Sequence, residues 1–592
     1  MPSTISRCFP QRAFDALTRF GIHPVLARVY AARGIEEPAQ LEVDWSRLVP
    51  FEYLKNVCQM AGFIAEAIAA RKRMLIVADY DSDGATACAV GIRGLRKFGA
   101  VVDYLVPDRF EYGYGLTPEI VRLAHAVSGP DILITVDNGI ASVEGVAEAA
   151  RLGMQVLVTD HHLPGDELPD PALIVNPNQP GCDFPSKHLA GVGVIFYLML
   201  ALRAELRRRG EFGSEKEPNL ASLVDLVALG TIADVVKLDN NNRILVHQGL
   251  GRIRRGHGCA GINALLRVAQ RDFREASASD LGFALGPRLN AAGRLENMAL
   301  GIECLITDDE SRALEIAHQL DSLNRKRQEI EANMQDSARA LLVDELSGGH
   351  LADGNIPSPN THSLSLYDPG WHQGVVGILA SRIKDKYYRP VIAFAPGNND
   401  EIKGSGRSIR GFHLRDALDL VSKRYPGLLL KFGGHAAAAG LTLRAHDFEK
   451  FRDVFEQTAQ ALLAPADLKH VIETDGDLDE SDLNLELAAQ LAQQVWGQGF
   501  AQPTFNTCFC VVDQRVVGKK HLKLKLTKFH HKTGNHISEK RGGQYDAILF
   551  SSTIRLPEVI HAVYRLQVNE FNGNSTLQFI VDHWSQADAQ VV

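Results

Sequence analysis

Short apolar runs alternate with helical stretches from Met74 onward. MLIVA, ILITV and VLVT are continuous apolar or β-branched runs that each lead into acidic residues. Continuous rather than alternating hydrophobicity marks strands buried on both faces, as in parallel sheets covered by helices. VVDYLV adds another strand, and helical patterning fills residues 84–98 and the stretch from Ser142. The predicted fold class is α/β, with a parallel-sheet domain over residues 71–305 preceded by an N-terminal extension, 1–70. LAGVGVIFYLMLALRAEL and LASLVDLVALGTIADVV read as buried helices of that domain.

Residues 306–346 predict a long connecting helix. No Pro or Gly occurs from Asp308 to Leu346, and Leu314, Ala317, Leu320, Leu323, Ile330, Met334 and Leu341 recur at mostly helical spacing. The Gly-, Pro- and Asn-rich segment SGGHLADGNIPSPNTHS ends it. A smaller α/β module over 362–465 follows, with strands at HSLSLY and PVIAFA, and with GSGRSIRG and KFGGHAAAAG read as glycine loops. Over 471–585 the texture changes to short runs such as TCFCVVDQRVV, HLKLKLTK, YDAILF and YRLQVNEF, which predict a small β-barrel.

At 592 residues, 45% hydrophobic and 23% charged, the chain has the usage of ordinary globular domains, which excludes a mainly disordered protein. A net charge of −8 gives no whole-chain attraction to nucleic acid. The eight cysteines include no C-x-x-C pair, which fits a reducing compartment rather than a disulfide framework. The opening MPSTISRCFPQRAFDALTRFG lacks the apolar centre of a signal peptide, so a cytoplasmic protein without membrane association is expected.

The chemistry gathers where strands end. MLIVA runs into Asp79, Asp81 and Asp83, ILITV into Asp137, and VLVT into Asp160, His161 and His162. Ligands in open α/β sheets bind beyond the carboxyl ends of strands, so these residues are expected to converge. One such Asp is as readily a helix cap; three strands together favour a site. Crowded carboxylates stay ionised most simply around a cation, and mixed Asp and His ligands suit manganese or magnesium. Asp234, closing the apolar VALGTIAD, is a further candidate, since an unpaired carboxylate there is costly. Two bridged cations suit hydrolysis of a phosphodiester or pyrophosphate. The G-x-G of AGVGV is too short for a dinucleotide fingerprint, and no G-x-x-x-x-G-K-[ST] occurs.

The set DYDSDG, TVDNG, TDHH and GTIADVV, in this order, resembles the DHH phosphoesterase superfamily, named for the triplet seen here as Asp160, His161 and His162. VPDRFEYGYGL, NPNQPGCDFPSKHLAGVGV, GPRLNAAGR and FGGHAAAAG resemble its single-strand-specific exonuclease branch. The resemblance implies a 5′-to-3′ exonuclease on single-stranded DNA that uses two divalent cations, Mn2+ or Mg2+, in recombination, mismatch repair and other repair. It implies Asp81, Asp83, Asp137, His161 and Asp234 as metal ligands, with Asp137 bridging, Asp79 at or beside the metals and His162 on the phosphate. Together Asp81, Asp83, Asp137, His161, His162 and Asp234 form the catalytic set. It makes the smaller module the DHH-associated domain, with Arg407, Ser408, Gly434 and His435 as phosphate contacts. It further implies a monomer, with a single-strand-binding protein, a RecQ-type helicase and mismatch-repair factors as partners.

Arg109, with Tyr114 beside it, and Arg288 with Asn290 and Arg294 are weaker candidates for holding the DNA backbone, since Arg grips phosphate bidentately. Seven lysines, among them Lys519, Lys523 and Lys525, lie between Arg515 and Arg541 against a single acidic residue, Glu539. In HLKLKLTK they alternate with leucines, which puts a basic face on one side of a strand. That fits an oligonucleotide-binding (OB) fold tracking a single strand, or an edge strand guarded by lysines. Phe505, Phe509, Phe529 and Tyr545 either stack bases or fill the barrel. Two other functions stay open: the same site acting on short oligonucleotides or cyclic dinucleotides, and a scaffold that binds single strands without catalysis.

Overall fold

In the computed structural model the described residues are 3–108, 111–212, 217–346, 361–518, 520–529, 543–571 and 573–587. They divide into two compact units, residues 5–321 with 473–592, and residues 1–4 with 322–472. Arg109, Lys519 and the two loops around SGGHLADGNIPSPN and HHKTGNHISEK lie outside the described residues.

The larger unit opens with helices α1 (Gln11–Arg19), α2 (Pro24–Ala31) and α3 (Val57–Ala69). Then come β1 (Arg73–Ala78), α4 (Ser82–Lys97), β2 (Val101–Leu105), α5 (Pro118–Ser128), β3 (Ile132–Val136), α6 (Val143–Arg151), β4 (Gln155–Thr159) and β5 (Ala172–Val175). The five strands are all parallel, in the order β2-β1-β3-β4-β5. This order changes direction between β1 and β3, so a crevice opens at their carboxyl ends, where ligands of doubly wound sheets bind. The central β3 is buried at every position, which is why it reads as an unbroken apolar run. Leu75, Val77 and Leu133 pack with Ile120 and Val121 of α5 and Val146 of α6.

The two apolar stretches become α7 (Gly191–Arg209) and, after a 3-10 turn at Leu220–Leu223, α8 (Val224–Ala233). Next are α9 (Asn240–Arg254), α10 (Ala260–Val268), a π-turn at Leu281–Leu285, α11 (Gly286–Leu295) and α12 (Ala299–Ile306). The predicted long helix is α13 (Glu310–Leu346). No helix of the described residues is long and apolar enough to cross a membrane.

The smaller unit carries β6 (Leu364–Tyr367), α14 (Val376–Tyr387), β7 (Val391–Pro396), β8 (Glu401–Arg407), α15 (Leu414–Arg424), β9 (Lys431–Gly434), β10 (Ala438–Arg444) and α16 (Phe448–Leu462). Its sheet has the order β9-β10-β8-β7-β6. Here the glycine stretches differ from the sequence expectation: GSGR is inside β8, and Gly433 and Gly434 are inside β9. Packing explains it. A Cβ on Gly404 would sit 2.5 Å from the Phe394 ring, and one on Gly406 would sit 2.6 Å from Leu414. Glycine lets these side chains lie against the sheet, a use of close approach rather than of turn formation.

The chain returns to the larger unit for α17 (Leu485–Gln493) and five strands, β11 (Phe505–Val517), β12 (His521–Lys528), β13 (Gln544–Leu549), β14 (Val559–Phe571) and β15 (Asn574–Gln586). They close a barrel in the order β11-β12-β13-β15-β14, with β13 and β15 parallel. This is the five-stranded oligonucleotide-binding fold. Phe505, Phe509, Tyr564 and Phe579 are buried in its interior, so the first two fill the barrel. Tyr545 stacks on Phe579 at 5.0 Å.

The N-terminal segment fastens this barrel to the sheet domain. Tyr30 stacks on Trp496 at 5.9 Å and Phe500 at 6.0 Å, and Arg243 of α9 lies 4.4 Å over the Phe500 ring. Arg33 pairs with Asp475 through both terminal guanidinium nitrogens, Nη1 and Nη2, at 2.8 and 3.0 Å.

Candidate metal centre

Strand ends deliver the acidic residues to one place. Asp79 follows β1, and the chain then turns so sharply into α4 that a Cβ on Gly84 would lie 2.5 Å from the Asp79 carbonyl oxygen. Asp81 caps α4, its Oδ1 accepting from the N–H groups of Asp83 (2.9 Å) and Gly84 (3.1 Å). Asp83, in the first turn of α4, is fully buried. Its oxygens accept from the N–H groups of Gly191 (2.6 Å) and Val192 (2.9 Å), the unsatisfied donors at the start of α7.

Asp137 follows β3 with φ of +62°, a left-handed conformation that costs a non-glycine residue roughly 1 kcal/mol. Asp160 follows β4 and acts as an organiser. One oxygen accepts from the N–H groups of His161 (2.7 Å) and His162 (3.1 Å) and lies 2.7 Å from His162 Nδ1, while the other accepts from the Ile140 N–H at 2.9 Å. Asp234 caps the carboxyl end of α8.

The ligating atoms converge. His161 Nε2 lies 3.0 Å from Asp137 Oδ1, 3.5 Å from Asp234 Oδ2 and 3.9 Å from Asp83 Oδ2. Three groups each hold their ligand atoms within 4.8 Å of one another: Asp79 with Asp81 and Asp137; Asp83 with His161 and Asp234; and Asp137 with His161 and His162. Asp137 is the carboxylate shared by two of them. Both Asp137 Oδ1 and His161 Nε2 are buried without a hydrogen-bond partner. Such orphaned atoms are costly in a folded protein, and a divalent cation satisfies both at once.

The electrostatics agree. Burial, then the neighbouring Asp81, pushes the Asp83 carboxyl up to about 7. Burial and the surrounding aspartates also raise Asp137 and Asp234 well above the carboxylate range. Burial and the neighbouring His162 push the His161 imidazole down to about 4, leaving it neutral and ready to ligate. For His162 burial acts against the charge, but the Asp160 hydrogen bond prevails and lifts it to about 9. This site therefore holds one neutral and one cationic imidazole side by side. Two roles have chemical partners: carboxylates with a neutral imidazole suit hard or borderline cations, and a charged imidazole suits an anion.

The other candidates are placed as follows. Tyr114 Oη lies 3.2 Å from His162 Nε2 and 3.4 Å from the Asp137 carbonyl oxygen. Arg288 points to Asp321, at 3.0 Å from Nε and 2.8 Å from Nη2, and donates to the Ala284 carbonyl at 2.6 Å. Asn290 Oδ1 accepts from the Ser82 N–H (2.8 Å) and hydroxyl (2.9 Å), tying α11 to the start of α4.

Four candidates belong to the smaller unit. Arg407 donates to Ser405 Oγ (3.1 Å) and the Gly406 carbonyl (2.8 Å), with burial lowering its pKa. Ser408 donates to the Phe412 carbonyl at 2.7 Å. Gly434 has φ of +137°, and the His435 N–H donates to the Ala438 carbonyl at 2.7 Å. On the barrel, Leu522, Leu524 and Leu526 are buried, while Lys523 is half-buried and Lys525 exposed. Lys525 stands opposite Asp513 and Asp546, whereas Lys523 stands opposite Arg515 and Ile548.

Sequence reasoning missed the glycines that make room for the cluster. A Cβ on Gly191 would sit 2.7 Å from Asp137 Oδ1, one on Gly230 would sit 2.9 Å from Asp83 Oδ1, and one on Gly293 would strike the Tyr80 carbonyl oxygen at 1.9 Å. AGVGV and GPRLNAAGR were visible as glycine motifs, but only tertiary contact shows what fills the missing side chains. Asn138 was also missed; its amide donates to the carbonyls of Val136 (2.9 Å) and Val77 (3.2 Å), joining β3 to β1 beside the site.

Family models match in the same places: the DHH family, N-terminal domain, at residues 73–231, the DHHA1 domain at 360–461 and the RecJ OB domain at 474–583. The single-stranded-DNA-specific exonuclease RecJ of Salmonella typhimurium is 48% identical over 570 residues, covering 94% of this chain and 95% of that protein. The crystal structure of RecJ from Thermus thermophilus in complex with Mn2+ superposes with a TM-score of 0.79 at 28% identity, over 99% of this chain and 79% of that one. Its complex with Mg2+ gives 0.74 at 26% identity, over 99% and 78%. With relatives this similar along almost its whole length, the chain belongs to the RecJ family.

Proposed function

We propose that this chain is a metal-dependent exonuclease that hydrolyses single-stranded DNA to mononucleotides from the 5′ end, in recombination and repair. The observation that carries the reading is the buried pair Asp137 Oδ1 and His161 Nε2, 3.0 Å apart with no hydrogen-bond partner, at the switch point of the sheet. Asp79, Asp81, Asp83, Asp137, His161 and Asp234 would hold two divalent cations, Mn2+ or Mg2+, with Asp137 between them. Bound there, the cations supply positive charge against the phosphodiester and lower the pKa of water.

The remaining roles fall to the chain's own groups. Asp160 orients His162 and keeps it protonated, so that its ring meets a phosphate oxygen with a charge-assisted hydrogen bond. Tyr114 Oη stands 3.2 Å from the other ring nitrogen, Nε2, the place a phosphate oxygen would take from it when a strand binds. In the smaller unit, Arg407, Ser408, Gly434 and His435 are assigned to phosphate. The barrel, with Lys523 on its outer face, tracks the strand through its phosphates and gives salt-dependent affinity. Supporting a reducing, cytoplasmic setting, none of the eight cysteines forms a disulfide among the described residues. A monomer working with a single-strand-binding protein, a RecQ-type helicase and mismatch-repair factors completes the proposal, on family resemblance.

The test uses one oligonucleotide labelled at its 5′ end in one sample and its 3′ end in another, with Mn2+ present. Immediate release of a labelled mononucleotide from the 5′ label, with gradual shortening of the 3′-labelled strand, is expected. Degradation of short oligonucleotides alone would favour the small-substrate hydrolase, and binding without degradation the scaffold.

A further inference from the structure

Phe283 is 85% exposed, an aromatic ring standing in water. It lies at the centre of the π-turn Leu281–Leu285, which closes with a bond from the Gly286 N–H to the Leu281 carbonyl. Single π-turns inside helical segments recur at functional sites. Its setting is fastened to the metal-ligand elements from two sides. Gly282 and Gly286 pack so closely on the end of α8 that their Cβ positions lie 3.1 Å from Ile232 Cγ2 and 3.2 Å from Ala233 Cβ, immediately before Asp234. On the other side, the Gly286 carbonyl accepts from the Ser82 hydroxyl at 3.1 Å and Asn290 holds the Ser82 N–H, between Asp81 and Asp83. Arg288 secures the turn from within, donating to the Ala284 carbonyl. The residue after Asp234 is Val235, 62% exposed and at φ of +61°, a steric outlier for a β-branched side chain. Phe283 thus stands on backbone packed against the two residues before Asp234, and the exposed, strained Val235 directly follows that aspartate.

We propose that Phe283 is the apolar surface on which a base of the single strand stacks while its phosphodiester lies at the metal centre. This deepens the nuclease reading and rests on it. The ring offers a π-face without a hydrogen-bond code, so stacking is tolerant of sequence. In a duplex each base already has both faces covered by its neighbours, so only an unpaired base has a face to give. Phe283 therefore contributes to the choice of single strands as well as to affinity. Arg288 and Asn290 act through it as positioning residues rather than as phosphate contacts.

The test is steady-state digestion of a labelled oligonucleotide with Mn2+ by the full chain, Phe283→Ala and Phe283→Trp. Phe283→Ala is expected to raise KM roughly tenfold, the scale of one base–aromatic stack, with kcat within about twofold. Phe283→Trp restores KM. On a strand of the same length lacking bases, the full chain and Phe283→Ala have equal KM, and their Mn2+ affinity and Tm are the same. Unchanged KM for Phe283→Ala on the normal strand, with the parent protein active, overturns the stacking role alone. So does an equal loss on the strand without bases, which would place Phe283 against something other than a base. An inactive parent protein in the same assay overturns the nuclease reading, and the stacking role with it.

Discussion

Gly191 has no side chain because Asp137 fills the space where one would be: a Cβ there would lie 2.7 Å from Asp137 Cβ and Oδ1. The glycine cannot move aside, since its N–H donates to Asp83 at 2.6 Å. One backbone position therefore sets the spacing of two carboxylates, one in the first turn of α4 and one at the end of β3. Gly191→Ala is expected to weaken Mn2+ binding by about one to two orders of magnitude and to cost roughly 1–3 kcal/mol of stability, the usual penalty of overpacking. Calorimetric titration with Mn2+, alongside circular dichroism to establish that the helices persist, reads both. Wild-type metal affinity in this variant would show that Asp137 does not need its present position.

Asp137→Asn keeps the volume and removes a charge. Hydrolysis should fall by at least about a hundredfold, because the shared ligand is lost, whereas binding of a fluorescent oligonucleotide should stay within about threefold. Anisotropy and turnover measured on the same preparation separate the two. Equal loss of binding and turnover would point to misfolding.

Metal itself should stabilise the fold. Satisfying Asp137 Oδ1 and His161 Nε2 ties the ends of β3 and β4 together, and a ligand at about a hundred times its Kd adds roughly 2.7 kcal/mol. Calorimetric scans are expected to show Tm rising by several degrees with Mn2+ and returning after EDTA, with no rise in Asp137→Asn. A Tm indifferent to Mn2+ would count against the centre.

The barrel is held by a buried ion pair. Arg33 and Asp475 side chains are 4% and 0% exposed, and Arg7 adds a bond to Asp475 at 3.2 Å. Removing Arg33 leaves the buried Asp475 carboxylate with Arg7 as its remaining cation, at a cost of up to about 3–5 kcal/mol. Arg33→Met should therefore speed proteolytic release of the barrel and weaken long-strand binding more than cleavage of a dinucleotide. Unchanged proteolysis would show that the Tyr30, Trp496 and Phe500 stack suffices.

Two lysines two positions apart should behave differently. Lys523 faces Arg515 and Ile548 across the sheet, whereas Lys525 faces Asp513 and Asp546, which already offset its charge. Lys523→Ala is expected to reduce the slope of log affinity against log salt by about 1, and Lys525→Ala by much less. Oligonucleotide titrations over a range of NaCl decide it, and equal slopes for the two variants would remove the distinction.

The amino-acid sequence by itself determined the doubly wound sheet, the long helix, the barrel and the acidic strand ends. Each rests on a periodic or local signal: β3 is buried throughout and so is apolar throughout, and a carboxylate after such a strand falls at the ligand end of the sheet. HLKLKLTK alternates because one face of β12 is core and the other is not. Tertiary structure alone decided what each polar group or glycine does once distant segments meet. Arg288 and Asn290 were legible only as polar candidates for the DNA backbone, and the fold sets them against Asp321 and Ser82. The glycines of GSGR looked like a loop until Phe394 and Leu414 claimed the space above them. The first seventy residues carried no motif, yet Tyr30 and Arg33 hold a barrel encoded more than 400 positions later. Hydrophobic period is a property of neighbours along the chain, whereas a hydrogen-bond partner or an absent Cβ is defined by neighbours in space.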